Sequence, residues 1–102
     1  MTLITNEELK TKLTASPAPR VTKEYMESRI GGKTFIGPGV VAPTLTICNI
    51  TLDNGYSVRG ESSCVNPENY DQEIGEKIAY DNAFNKLWPL FGFLLAETQF
   101  KG

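Results

Sequence analysis

The spacing of apolar positions changes along the chain, from helical to alternating and back to helical. Val21, Tyr25, Met26 and Ile30 recur at helical intervals behind Thr22, a residue type suited to start a helix. Upstream, Thr5-Asn6-Glu7-Glu8 predicts a helix start with Thr5 as N-cap and Glu8 completing a capping box. That helix is expected to stop by Ser16, because Pro17 and Pro19 impose an extended link. Gly31-Gly32 is the expected end of the second helix, so residues 1–30 form a short helical N-terminal arm. From Phe35 to Pro43 the run of Gly, Pro and Val predicts a loop or an irregular edge strand.

The alternating stretch runs from Thr44 to Cys64 around Asp53-Asn54-Gly55. A two-residue Asn-Gly turn would mix polar and apolar side chains on both faces. A three-residue loop with Gly55 in the left-handed conformation opposes Leu52 to Tyr56, Ile50 to Val58 and Cys48 to Gly60. That register puts Cys48, Ile50, Leu52, Tyr56 and Val58 on one face, and Asn49, Thr51, Ser57, Arg59 and Glu61 on the other. A slip of one residue would bury Arg59, so burial selects this register.

Asn66-Pro67-Glu68 is an N-cap followed by proline, and Asp71 offers a further cap three residues before Ile74. Ile74, Ile78, Ala79, Ala83, Leu87 and Trp88 then predict an apolar helical stripe. Pro89 is expected to kink or end this helix, and Gly92 to interrupt the segment beyond it. Phe91, Phe93, Leu94 and Leu95 are too apolar for a free tail and should pack on the sheet or on another chain. The predicted fold class is α+β: an antiparallel, hairpin-based sheet with a long C-terminal helix on one face and the helical arm before it. One domain spans 1–102, divided into the arm at 1–30, the loop and hairpin sheet at 31–65, and the long helix with its apolar C-terminal segment at 66–102.

Composition narrows the function. The chain has 102 residues and a formal net charge of −2, with no basic excess to attract a nucleic-acid polymer or an anionic membrane. No apolar run approaches the ~20 residues of a membrane span, and the start lacks the pattern of a signal peptide, so a cytoplasmic location is expected. Histidine is absent, which removes the commonest general base and metal ligand. Neither enzyme activity, a metal nor a cofactor is expected.

Several local patterns invite chemistry. Gly32-Lys33-Thr34 resembles the end of a phosphate loop, but Glu27 stands where the pattern needs its first glycine, so an ordinary turn is the better reading. Cys48 and Cys64 fall about 13 Å apart in the chosen register, beyond disulfide reach, and are expected to be buried thiols. Glu73, Glu76 and Asp81 could suggest acid–base pairs, yet helical spacing makes them an ion-pair row with Lys77. On the polar sheet face, Arg59 and Asn49 are predicted cross-strand neighbours. An arginine fork beside an amide can hold a phosphate and a base edge together, and the alternative is a solvated face with one Arg59–Glu61 pair. Tyr80 and Phe84, one helical turn apart, could clamp a base or pack in the core.

The words Thr46-Ile47-Cys48, Leu52-Asp53-Asn54-Gly55-Tyr56, Gly60-Glu61-Ser62, Val65-Asn66-Pro67-Glu68-Asn69-Tyr70-Asp71, Ile74-Gly75, Ile78-Ala79 and Leu87-Trp88-Pro89-Leu90, in that order, resemble a family of small tailed-phage accessory proteins over about residues 44–95. The resemblance extends to the Thoeris anti-defence protein one group of phage sponges. It implies counter-defence in the host cytoplasm: capture of cyclic nucleotide second messengers (cyclic ADP-ribose isomers, cyclic tri- or dinucleotides) without cleavage, by a homo-oligomer. Under that reading the candidate ligand-binding residues are Arg59 and Asn49 from the sheet, Lys77 and Tyr80 from the helix, and Arg20 or Arg29 from the arm. Arg59 and Lys77 would meet phosphates, Tyr80 would stack on a base, and Asn49 would read a base or ribose edge. The alternative is a phage interaction protein that inhibits a host protein through its apolar C-terminal segment.

Overall fold

A computed structural model describes residues 5–8 and 20–101. Within the first stretch, the Glu8 N–H donates to Thr5 Oγ1 at 3.1 Å, as an N-cap should. The continuation of that helix to Ser16 and the link at Pro17 and Pro19 lie outside the described residues. Helix α1 (Lys23–Ser28) starts where Thr22 accepts a hydrogen bond from the Tyr25 N–H, and it buries Met26 completely. It stops three residues before the glycine pair. Arg29 caps it, and the chain turns directly into strand β1 (Ile30–Ile36).

Gly31-Gly32 therefore belongs to a strand and does not end the helix. The register of β1 against β2 (Leu45–Leu52) shifts between Ile30 and Gly32, so the pair absorbs a bulge. An edge strand is present, but it spans Ile30–Ile36, and of the Phe35–Pro43 stretch only Phe35 and Ile36 belong to it, the rest being loop. Strand β3 (Ser57–Ser63) completes a sheet of order β1-β2-β3, antiparallel throughout.

The hairpin register is the one burial selects: Cys48 faces Gly60, Asn49 faces Arg59 and Ile50 faces Val58. Gly55 has φ +91°, and its N–H donates to the Leu52 carbonyl at 2.9 Å, closing the loop. Cys48, Ile50, Leu52 and Val58 are buried on one face. Tyr56 departs from expectation. It lies between the loop and β3 and is 56% exposed.

After a 3₁₀ turn (Pro67–Asn69) capped by Asn66, helix α2 (Gln72–Asn85) begins at Asp71, which accepts from the Ile74 N–H at 3.2 Å. Its buried face keeps Ala79 and Ala83 of the predicted stripe but turns away from the two isoleucines. Gly75, Ala79, Ala83 and Phe84 are buried, whereas Ile74 and Ile78 are exposed. The reason is close approach. A Cβ at Gly60 of β3 would stand 2.1 Å from the Ala83 nitrogen and 2.5 Å from the Ala79 oxygen, so helix and strand backbones nearly touch there. Large side chains on that face would hold the helix away.

Lys86 caps α2, and α3 (Leu87–Lys101) starts at once. The break comes three residues before Pro89. Proline then occupies the first turn of α3, where its missing N–H costs no intrahelical bond. Gly92 leaves α3 uninterrupted. Leu87 and Phe91 close the core against Met26 and Phe84, while Trp88 is 39% exposed. Among the described residues no helix is long and apolar enough to cross a membrane.

Candidate functional site

The helices cover one face of the sheet, and the candidate residues divide between its two sides. Asn49 and Arg59 project from the face left uncovered among the described residues, where β2 contributes Ile47, Asn49 and Thr51, and β3 contributes Ser57, Arg59 and Glu61. One guanidinium nitrogen of Arg59, Nη1, donates to Asn49 Oδ1 at 3.2 Å and to Ser57 Oγ at 3.0 Å. Asn49 Nδ2 in turn donates to Thr51 Oγ1 at 3.0 Å. The amide of Asn49 is thus used on both ends, as an orienting group for Arg59.

No Arg59–Glu61 ion pair forms, although both side chains stand on this face. Among the described residues, nothing engages the Nε–Nη2 edge of Arg59. Two parallel donors on that edge match a phosphate or carboxylate. The hydrogen bonds to Nη1 fix the plane of the fork before any ligand arrives, which lowers the ordering cost of binding.

Lys77 and Tyr80 stand on α2, on the other side of the sheet. Lys77 Nζ sits 2.6 Å from Asp81 Oδ2 in an exposed pair one helical turn long. Of the expected ion-pair row, Lys77–Asp81 is present and Glu73–Lys77 is not. Tyr80 is half-buried beside Phe84, with ring centroids 6.0 Å apart, and Lys33 Nζ lies 4.9 Å from the Tyr80 ring centre. Burial, with Glu27 and other negative groups nearby, raises the pKa of its phenol. Tyr80 therefore packs on the core and carries a lysine on its ring, where a stacking role would need an open face.

Arg29 is committed elsewhere. Its Nε lies 2.8 Å from both carboxylate oxygens of Asp53, Nη1 donates to the Tyr25 hydroxyl at 3.1 Å, and its guanidinium lies 5.8 Å from the Phe91 ring centre. The Asp53 and Tyr25 bonds raise its pKa further. Arg29 clamps the hairpin loop onto α1 and α3. Arg20 borders a groove of about 280 Å³ between α1 and α3, lined by Val21, Tyr25, Phe91 and Leu94. The six candidates do not meet in one pocket: Arg59 and Asn49 stand together, and the other four lie elsewhere.

Both cysteines are free. Cys48 is buried beneath α2, and burial pushes its pKa up. Cys64 is half-buried, with its thiol 3.0 Å from the Asn66 carbonyl oxygen, so only one of the two expected buried thiols is in the core. Among the described residues no His, Cys, Asp or Glu cluster could hold a metal ion.

What the sequence reading lacked was the pair of backbone contacts that set α2. Besides Gly60, Gly75 leaves room for Thr46, whose hydroxyl lies 2.9 Å from the Tyr70 hydroxyl. Asn82 Nδ2 also donates to the Glu61 carbonyl at 2.9 Å, tying α2 to the outer edge of β3. Glycines at strand and helix positions that a side chain should fill were the available signal.

Among known proteins, the model of the Phage protein (N4 Gp49/phage Sf6 gene 66) family matches residues 21–99, from α1 through most of α3. No curated protein and no solved structure matches the chain.

Proposed function

The chain belongs to this phage protein family, and from that premise we propose that it is a non-enzymatic phage protein that captures an anionic nucleotide ligand on its uncovered sheet face. The observation that carries the reading is the oriented but unengaged Nε–Nη2 edge of Arg59, held by Asn49 and Ser57. Thr51 and Ser57 add hydroxyls beside it, suited to phosphate or ribose oxygens. The ligand class taken here is the cyclic nucleotide messengers that the sequence resemblance implies, and counter-defence in the host cytoplasm is the setting that goes with it.

Capture without turnover is consistent with the groups on this face. Arg59 donates hydrogen bonds, and the amide and hydroxyls around it supply no nucleophile paired with a base. Co-expression with an enzyme that makes cyclic nucleotides, followed by heat release and mass spectrometry, tests the proposal. The released ligand should be chemically intact and present in near-stoichiometric amount. Linearised product, or protein that emerges empty from cells rich in the messenger, would reject it.

A second reading has its own observation. Phe93 and Phe100 on α3 are 65% and 86% exposed, an apolar surface of the kind through which a phage protein could bind and inhibit a host protein.

A further inference from the structure

On the sheet face that the described helices leave open, Arg59 has a neighbour of opposite charge that nothing engages. Glu61 stands two residues along β3 and is exposed, and among the described residues no hydrogen bond or ion pair reaches its side chain. Only its backbone carbonyl is used, by Asn82 Nδ2 at 2.9 Å. Across the sheet from Glu61, the register sets Ile47 on β2 and Ile36 on β1. Ile47 is half-buried and Ile36 is 36% exposed, so both offer apolar surface to this face. With strands about 4.8 Å apart, the row spans roughly 10 Å from Ile36 to Glu61. It is an apolar seat that ends at a carboxylate. The next row, Thr34, Asn49 and Arg59, lies about 7 Å further along the strands.

We infer that Glu61 reads the base of the ligand whose phosphate Arg59 holds, and that this base is guanine. The inference rests on the nucleotide-capture reading above and adds which base the ligand carries. A base laid across Ile36 and Ile47 covers both isoleucines and turns one edge to Glu61. A carboxylate only accepts hydrogen bonds. It favours an edge with two neighbouring N–H donors, and among the common bases guanine alone has one, at N1 and the N2 amine. Adenine and cytosine set an acceptor nitrogen beside their amine, and uracil flanks its single N–H with two carbonyls. Each of those turns a lone pair toward the carboxylate.

Charge selects the same ligand. A cationic partner would suit Glu61 but meet Arg59 one step along the strand, and a second phosphate beside Glu61 would be repelled. A guanine nucleotide is neutral at its base and anionic at its phosphate, so it matches both side chains.

Titration with cyclic di-GMP, cyclic di-IMP and cyclic di-AMP isolates the base, because the three share linkage and charge. The protein should bind cyclic di-GMP about 5- to 150-fold more tightly than cyclic di-AMP, the worth of one bidentate base contact. Cyclic di-IMP, which lacks only the N2 amine, should fall between them. Glu61→Gln replaces one acceptor with a donor, the pattern that pairs with adenine, and should reverse the order of cyclic di-GMP and cyclic di-AMP. That exchange keeps the side-chain shape and spares the Asn82 bond, which goes to the backbone. Equal affinities in the parent, a preference for cyclic di-AMP, or a ratio that Glu61→Gln leaves unchanged would overturn the role of Glu61 while capture at Arg59 stands. Silence from all three alongside binding of a cyclic ADP-ribose isomer would also reject guanine. Silence from every ligand would reject capture itself.

Discussion

Gly60 is the residue on which the packing of α2 turns. Its missing side chain lets the Ala79 and Ala83 backbone descend onto β3, where a Cβ would fall 2.1 Å from a backbone nitrogen. Because backbone cannot swing aside as a side chain can, Gly60→Ala should cost about 3 kcal/mol in urea unfolding, at the upper end of overpacking penalties. Gly75→Ala meets Thr46 Oγ1 at 3.2 Å and should cost less, about 1 kcal/mol. Equal losses at the two sites would contradict this account. In the sequence neither glycine announces this role, because the atoms each admits come from another element. Two protonated groups add a pH dependence. The pKa values of the Cys48 thiol and the Tyr80 phenol are raised, mainly by burial. The unfolded chain therefore loses those protons first, from about pH 8.5 for a thiol and about pH 10 for a phenol. Above those values the folded state holds more protons than the unfolded one, so stability is full below about pH 8.5 and falls as pH rises. Urea midpoints at pH 7 and pH 10 should show the decline, and equal midpoints would refute it.

Among the elements, those with local signals were legible and those set by distant contacts were not. Thr22 and Asp71 cap α1 and α2 as their residue types predict, and the loop at Gly55 fixes the β2–β3 register without reference to the rest of the fold. Asp71→Ala should remove about 1 kcal/mol from stability in chemical denaturation, a typical N-cap loss. Strand β1 was only half legible. Gly31-Gly32 signals a helix stop in isolation, but pairing with β2 satisfies the backbone and the bulge absorbs the misfit. The predicted stripe on α2 included Ala79 and Ala83, which the sheet does bury, but extended it to Ile74 and Ile78, where close approach admits Gly75 instead. At the join between α2 and α3, proline marked the neighbourhood of the break but not its position, since a first-turn proline is compatible with a new helix.

At the scale of the whole molecule, the described helices cover one face of the sheet and leave the other open among the described residues, and that division decides which candidates can act together. The register made Arg59 and Asn49 neighbours in the sequence reading, and the structure keeps them so. Lys77, Tyr80, Arg20 and Arg29 could not be placed from spacing, because their positions depend on which face α2 covers and where Arg29 finds a carboxylate. The central claim concerns Arg59, whose exposed side chain makes no ion pair and so contributes little to stability. Calorimetric titration of the protein and of Arg59→Ala with a panel of cyclic di- and trinucleotides and cyclic ADP-ribose isomers tests it most directly. At least one ligand should bind, and the variant should lose roughly 1.5–3 kcal/mol, about 10- to 150-fold in affinity, with an unchanged melting temperature. No heat from any ligand, or equal affinity in the variant, would contradict it.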